Sequence, residues 1–295
     1  MHRLTNRYCH AFTNAEPLPF GFILALFLIA FSSFGQKSIY EIFAFEFAGN
    51  WSAPVSEIAV GAATNDSIKG SSIIWLLKGN NGRIVLVDAG FTDTSKYPAH
   101  NYIRPDLVLQ KINIKPEDIT DLIVTHPHFD HIGGINLFPN AMLWMQKGDF
   151  DYFVGPAWQK NGFSDGLNKD DVFKLIQKSV DGHLTLVKGD SIEIIPGIRV
   201  FIGSRHTYES QYVLVNGTSG KTIIASDNIW YYYNLNYLLS IPKYTFDAKA
   251  YVNAMIRMKT LVSNTDLIVP GHDALIFSKF PKVTSGVVKI EIENK

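Results

Sequence analysis

Asp121-Leu-Ile-Val-Thr-His126-Pro-His128-Phe-Asp130-His131-Ile-Gly-Gly134 opens as a buried-strand pattern and closes on a pair of glycines. The strand reading covers Asp121 to Val124, so the polar run from Thr125 to His131 falls in a strand-to-helix loop. Such a loop turns four polar side chains toward one point, which neither the helical nor the strand period allows alone. Neutral imidazoles and carboxylates are the ligands that zinc-like ions accept. His126 and His128 can chelate one ion, while Asp130 and His131 reach a second close by.

Outward from this loop the chain repeats itself. Asp266-Leu-Ile-Val-Pro-Gly-His272 echoes Asp121-Leu-Ile-Val-Thr-His126. Before each phrase lies a hairpin signal. Ser71–Lys78 and Arg83–Asp88 flank Gly79-Asn-Asn-Gly82, and Gln211–Val215 and Lys221–Asp227 flank Asn216-Gly-Thr-Ser-Gly220. Each second strand ends in an aspartate, Asp88 or Asp227. Helices are predicted over Arg104–Ile112 and Asp247–Val262, the latter with Ala250, Met255, Met258 and Leu261 on one face. Four parallel features in the same order predict an internal duplication. Two such halves imply an α+β fold, a four-layer α/β/β/α sandwich. Residues 141–180, with Trp144, Phe150, Tyr152, Phe153, Trp158 and Phe163, read as a helical insertion over the strand ends, most of these aromatics being core.

The beginning of the chain reads differently. Arg3 and Arg7 precede an apolar run from Phe20 to Phe31, followed by Ser32-Ser33-Phe34-Gly35. That is a signal peptide over residues 1–35, with cleavage before Gln36 and export to the periplasm or medium. The alternative, a retained anchor, needs ~20 predominantly apolar residues, and this run is shorter. Contact with a membrane is expected only during export, and residues 36–295 are expected to form one domain. Cys9 is the only cysteine, which excludes a disulfide scaffold or a thiolate cluster. Hydrophobic residues at 46% and charged residues at 18% suit a packed core and exclude disorder. Lys plus Arg and Asp plus Glu number 27 each, so no net field is available to hold nucleic acid.

Nine histidines occur, two of them within the signal segment. Of the remainder, three lie in the Thr125–His131 loop, and His206 and His272 each sit at a predicted strand end. A metal explains that placement better than chance. Asp227, closing the hairpin after His206, is positioned to bridge two ions. Serine hydrolysis is not indicated, because no serine stands in a Gly-x-Ser-x-Gly context.

The order His126-x-His128-x-Asp130-His131, then His206, Asp227 and His272, resembles the metallo-β-lactamase superfamily over nearly all of the mature chain. Val87-Asp88-Ala-Gly90 is similar to that family's first motif, whose aspartate supports the site without ligating. The resemblance implies one ion held by His126, His128 and His206, a second by Asp130, His131 and His272, and Asp227 between them. Two divalent cations, zinc being the natural choice, ~3.5–4 Å apart would bring a bridging water from a pKa of 15.7 toward ~7. The resulting hydroxide would open an ester-type carbonyl in a small-molecule substrate, with Asp130 passing the proton to the leaving group.

Within the family, His128 in place of glutamate argues against the di-iron branch, and Asp227 stands where one group of zinc β-lactamases has cysteine. Gly133-Gly134-Ile-Asn-Leu-Phe-Pro139 and the aromatic stretch Gln146–Trp158 look like the N-acyl homoserine lactonase group, which makes a lactone the expected substrate. The alternatives are a glyoxalase II-like thioesterase, a β-lactam hydrolase, or a metal-binding relative without activity. Lys279, Lys282 and Lys289 imitate the thioesterases' glutathione-holding residues only weakly. Acyl homoserine lactonases carry a substrate-contacting tyrosine three residues after the bridging aspartate. Here that place is taken by Trp230, with Tyr231 beside it, and Arg205 before His206 would narrow or recharge the site.

Overall fold

Strand β1, Tyr40–Pro54, alternates its side chains between two hydrophobic cores. The computed structural model describes residues 37–62, 64 and 66–292, so the expected signal segment lies outside the described residues. From Ser38 onward the described residues form one compact unit. The strands that follow are β2 Ser67–Gly79, β3 Ile84–Val87, β4 Asp121–Ile123, β5 Met142–Gln146, β6 Leu184–Val187 and β7 Ile192–Ile195. After them come β8 Ile198–Ile202, β9 Gln211–Gly217, β10 Gly220–Ser226, β11 Ile268–Pro270, β12 Lys282–Thr284 and β13 Val287–Lys289.

The α+β class expected from the sequence is what the fold shows, and so is its repeated topology. The β2–β3 hairpin is antiparallel, and β4 then runs parallel to β3 with Val85 opposite Asp121 and Val87 opposite Ile123. The β9–β10 hairpin is likewise antiparallel, with β11 parallel to β10 and Ile223 opposite Ile268. Strands β5 and β6 extend the first arrangement in parallel, and β8 and β7 extend the second. The two are joined by Tyr40 opposite Gly217 in β1 and β9 and by an isolated bridge between Gly70 of β2 and Asp273 beyond β11. Strand β1 pairs with β2 from Tyr40 opposite Gly79 to Pro54 opposite Ser67, its register shifting between Glu46 and Ala48 and again between Gly49 and Trp51. Bulges of this kind bend a strand and re-aim its side chains, and here they precede Trp51.

Ile42, Ala44, Ile73, Trp75, Leu77, Val85 and Val87 enter one core, which also takes Tyr212 to Val215, Ile223 to Ala225, Met255 and Met258. Phe43, Phe45, Phe47, Ile74, Leu76 and Leu86 enter the other, with Val108, Leu109 and Leu175. Because these strands are covered on both faces, they read as unbroken apolar runs rather than alternating ones. Burial of each large side chain contributes roughly 1.5–3 kcal/mol.

The predicted helix over Asp247–Val262 is Ala248–Leu261, with the Asp247 carboxylate accepting from Lys249 N and Ala250 N. The one over Arg104–Ile112 is helical from Pro105 to Leu109, then tightens to a 3₁₀ turn and stops at left-handed Asn113. Residues 141–180 are largely helical as expected, in helices Lys147–Phe153 and Lys169–Val180, but they open on strand β5 and none of their aromatics lines the cavity over the strand ends. Phe153 is fully buried in the second core, and the Trp144 indole donates to Asp121.

Candidate metal centre

The left-handed backbone at Asp88 (φ 61°) turns its carboxylate back under the loop that follows β4. There it accepts from Thr125 N at 2.8 Å, the Thr125 hydroxyl at 2.9 Å, the Ser226 hydroxyl at 2.8 Å and His131 Nδ1 at 2.8 Å. Asp88 is therefore saturated with donors and fully buried. Its hold on His131 Nδ1 commits the opposite nitrogen, Nε2, to the interior of the site.

Three ring nitrogens converge beside it. His126 Nε2 lies 3.1 Å from His128 Nδ1, which lies 2.9 Å from His206 Nε2, and all three residues are buried. Burial is the main reason that His126 is pushed well below the ordinary histidine range and His128 down to about 3. Neutral imidazoles presenting lone pairs to one point are metal ligands rather than hydrogen-bonding partners of one another.

The second group is built otherwise. His131 Nε2 is 3.5 Å from Asp130 Oδ2, and His272 Nε2 is 3.7 Å from the same oxygen. His272 Nδ1 lies 3.1 Å from Ser71 O, which again leaves Nε2 facing inward. Burial opposes ionisation of Asp130, but His131 and His272 outweigh it and bring the carboxyl down to about 2. Reciprocally, Asp130, Asp227 and Asp88 overcome the burial of His131 and raise it well above the ordinary value. A cation would take the place of those protons.

Asp227 stands between the groups. Its Oδ2 is 3.2 Å from His206 Nε2, 3.8 Å from His126 Nε2 and 3.3 Å from His272 Nε2, while its Oδ1 is 3.3 Å from His131 Nε2 and 3.1 Å from His272 Nε2. Asp227 Oδ1 and His131 Nε2 are buried without a hydrogen-bond partner among the described residues. Orphaned atoms of that kind are rare in folded proteins and are what a cation satisfies. The donor atoms of His126, His128, His206 and Asp227 lie within 4.8 Å of one another, and so do those of Asp130, His131 and His272. The residues therefore fit two divalent ions. Gly271 is required for this approach, since a Cβ there would lie 2.6 Å from Asp227 Oδ1.

Two buried polar residues missed by sequence reasoning set the loop that carries His206. Asn228 Oδ1 accepts from Ser204 N, the Ser204 hydroxyl and the Ser210 hydroxyl, while its Nδ2 donates to Gln211 O and Ala225 O. From the other side, Asp149 accepts from the Thr207 hydroxyl at 2.6 Å and Glu209 N at 2.7 Å. Burial lifts Asp149 to about 7.

Above the centre is a cavity of about 250 Å³, lined by Trp51, Phe129, Trp230, Tyr231, Tyr244 and Gly166 over His128, Asp130, Asp227 and His272. Among the described residues, no lysine or arginine lines it. Trp51 fits because Gly70 lacks a side chain, a Cβ there falling 2.0 Å from the indole nitrogen. Trp230 and Tyr231 line the cavity as read from the sequence, though the backbone at Tyr231 is extended rather than helical. Arg205 does not line it. Its backbone is left-handed (φ 56°), and its guanidinium lies over the rings of Tyr208 and Phe246. Lys279 pairs with Asp266, and Lys289 with Glu41 and Glu291, away from the cavity. Trp51 and Tyr244 were not foreseen; a tryptophan one residue beyond a Gly-Asn pair was the available signal for the first.

Residues 69–272 match the sequence model of the Metallo-beta-lactamase superfamily. An N-acyl homoserine lactonase of Bacillus cereus is 24% identical over 217 residues, 68% of this chain and 80% of that protein. An N-acyl homoserine lactonase of a Bacillus species is 27% identical over 169 residues, 56% of this chain and 60% of that protein. Among solved structures, AidC, a dizinc quorum-quenching lactonase in complex with a product, superposes with a TM-score of 0.63 at 16% identity. That match covers 88% of this chain and 100% of the other, and the likeness concerns the fold.

Proposed function

The chain belongs to the metallo-β-lactamase superfamily, and from that premise we propose that it is a binuclear metallo-hydrolase that opens uncharged lactones, N-acyl homoserine lactones foremost. His126, His128 and His206 would hold one divalent ion, zinc being the natural choice, Asp130, His131 and His272 would hold the other, and Asp227 would serve both. When bound, the ions supply Lewis acidity, bringing the pKa of water toward neutrality and polarising an ester carbonyl. The chain's own residues do the rest. Asp88 and the Ser71 carbonyl fix the tautomers of His131 and His272. Asp130, only partly covered and facing the cavity, takes a proton from the attacking water and passes it to the leaving oxygen. The aromatic wall receives the acyl chain and excludes water.

The observation that carries the lactone reading is the cavity lining: five aromatic side chains and, among the described residues, no lysine or arginine. An anionic substrate, such as a β-lactam carboxylate or a glutathione thioester, would meet two carboxylates and no counter-charge beyond the ions. The sequence supports export of the mature chain after loss of residues 1–35.

The test is a substrate panel on the zinc-loaded mature protein, comparing acyl homoserine lactones of several lengths with glutathione thioesters and β-lactams. Lactone hydrolysis that disappears on chelation and returns with zinc is the expected result. Preference for a thioester or β-lactam would replace the substrate assignment. Two bound ions with no turnover anywhere would make the chain a binding relative.

A further inference from the structure

Trp230 is anchored from behind and reaches forward. Its backbone N–H donates to the Tyr251 hydroxyl at 3.0 Å, and Tyr251 is fully buried in the first core. Its indole Nε1–H donates to Asp227 Oδ2 at 2.8 Å, while the ring lies 5.9 Å from Tyr244 and 6.1 Å from His272. The two oxygens of Asp227 are thereby unequal. Oδ2 takes the indole and lies 3.2 Å from His206 Nε2 and 3.3 Å from His272 Nε2, whereas Oδ1 takes no hydrogen bond and lies 3.3 Å from His131 Nε2 and 3.1 Å from His272 Nε2. The terminal torsion of an aspartate is soft, so an untethered carboxylate would swing between orientations. An indole nitrogen can only donate, which makes it a one-way tether that does not compete for a cation.

We propose that Trp230 is a positioning residue whose indole N–H locks Asp227 so that each carboxylate oxygen serves one of the two donor groups. The inference rests on the reading of Asp227 as the acid shared by two ions. It gives Trp230 a part in assembling the centre in addition to lining the cavity.

Trp230→Phe keeps an aromatic ring and removes the donor. Cobalt titration followed by visible absorption, with chelator competition, should show one ion bound as in the parent and the other weakened about 10–100-fold. The metal-free parent offers a second measurement that needs no loaded centre. One indole N–H resonance, identified by its loss in Trp230→Phe, should exchange slowly with solvent and should shift and exchange freely in Asp227→Ala. A Trp230→Phe chain that holds two ions at parental affinity with the parental spectrum overturns the proposal. So does an indole proton indifferent to Asp227→Ala. A parent chain that takes up fewer than two ions would instead sink the shared-acid reading and this proposal with it.

Discussion

The units β2–β3–β4 and β9–β10–β11 have the same topology, and each places an aspartate just past its second strand and a histidine just past its third. The aspartates nevertheless have different surroundings. Asp88 is surrounded by donors from Thr125, Ser226 and His131, so every lone pair it could offer an ion is engaged. Asp227 receives one indole and otherwise faces imidazole nitrogens. Position in a repeat therefore does not decide whether a carboxylate ligates; the supply of hydrogen-bond donors around it does. The third-strand loops diverge in the same way. After β4 the chain runs through His126, His128, Asp130 and His131, whereas after β11 His272 is followed by Asp273, whose oxygens accept from Tyr232 N and Leu275 N.

The sharpest way to break the comparison is to exchange the fates of the two acids. Asp227→Ala should bring turnover to background and the metal content below two ions per chain by elemental analysis, with folding retained by circular dichroism. Asp130→Asn should lower kcat by about 10²–10⁴ while at least one ion stays bound, as expected for loss of a proton carrier. Near-parental kcat would remove Asp130 from the proton path. Asp88→Asn should be milder, about 10–100-fold in metal affinity or activity, since it leaves every ligand in place and disturbs the carboxylate that orients His131 and receives Thr125 and Ser226. If Asp88→Asn proves as damaging as Asp227→Ala, the distinction between saturated and open carboxylates fails.

The smallest effect lies outside both units. Burial holds Asp149 near 7 in the fold against an unfolded value of 3.8, so the folded chain binds the extra proton between those limits. Stability from this group is present at acid pH and is lost as pH rises through about 7, by roughly 1.4 kcal/mol for each unit of the shift. Urea unfolding of metal-free protein at pH 5 and pH 8 should show a smaller pH difference for Asp149→Asn than for the parent. An unchanged difference would mean that Asp149 is ionised in the fold.

Much of this was readable before the structure. Gly79-Asn-Asn-Gly82 and the strand-end aspartates marked the hairpins, and ligating residue types crowded at strand ends marked the centre, because both signals are local. Tyr244, Asn228 and Asp149 were not readable, since each serves residues well removed in sequence and none carries a pattern of its own, and Trp51 had only the preceding Gly-Asn pair to mark it. In the aromatic segment 141–180, Trp144, Phe150 and Phe153 join the cores as expected, whereas no aromatic there lines the cavity, because bulk predicts burial but not position. Arg205 misled because a left-handed turn before His206 sends its side chain away from the cavity.

Strand pairing joins the two units only through Tyr40 with Gly217 and the isolated bridge of Gly70 with Asp273 among the described residues, yet around the centre they exchange several contacts. Ser71 and His272 bond reciprocally, Ser226 donates to Asp88, and Gln211 donates to the carbonyls of Thr125 and Val124. Cations gripped from both sides would act as rivets across that seam, so metal loss should loosen the seam ahead of either core.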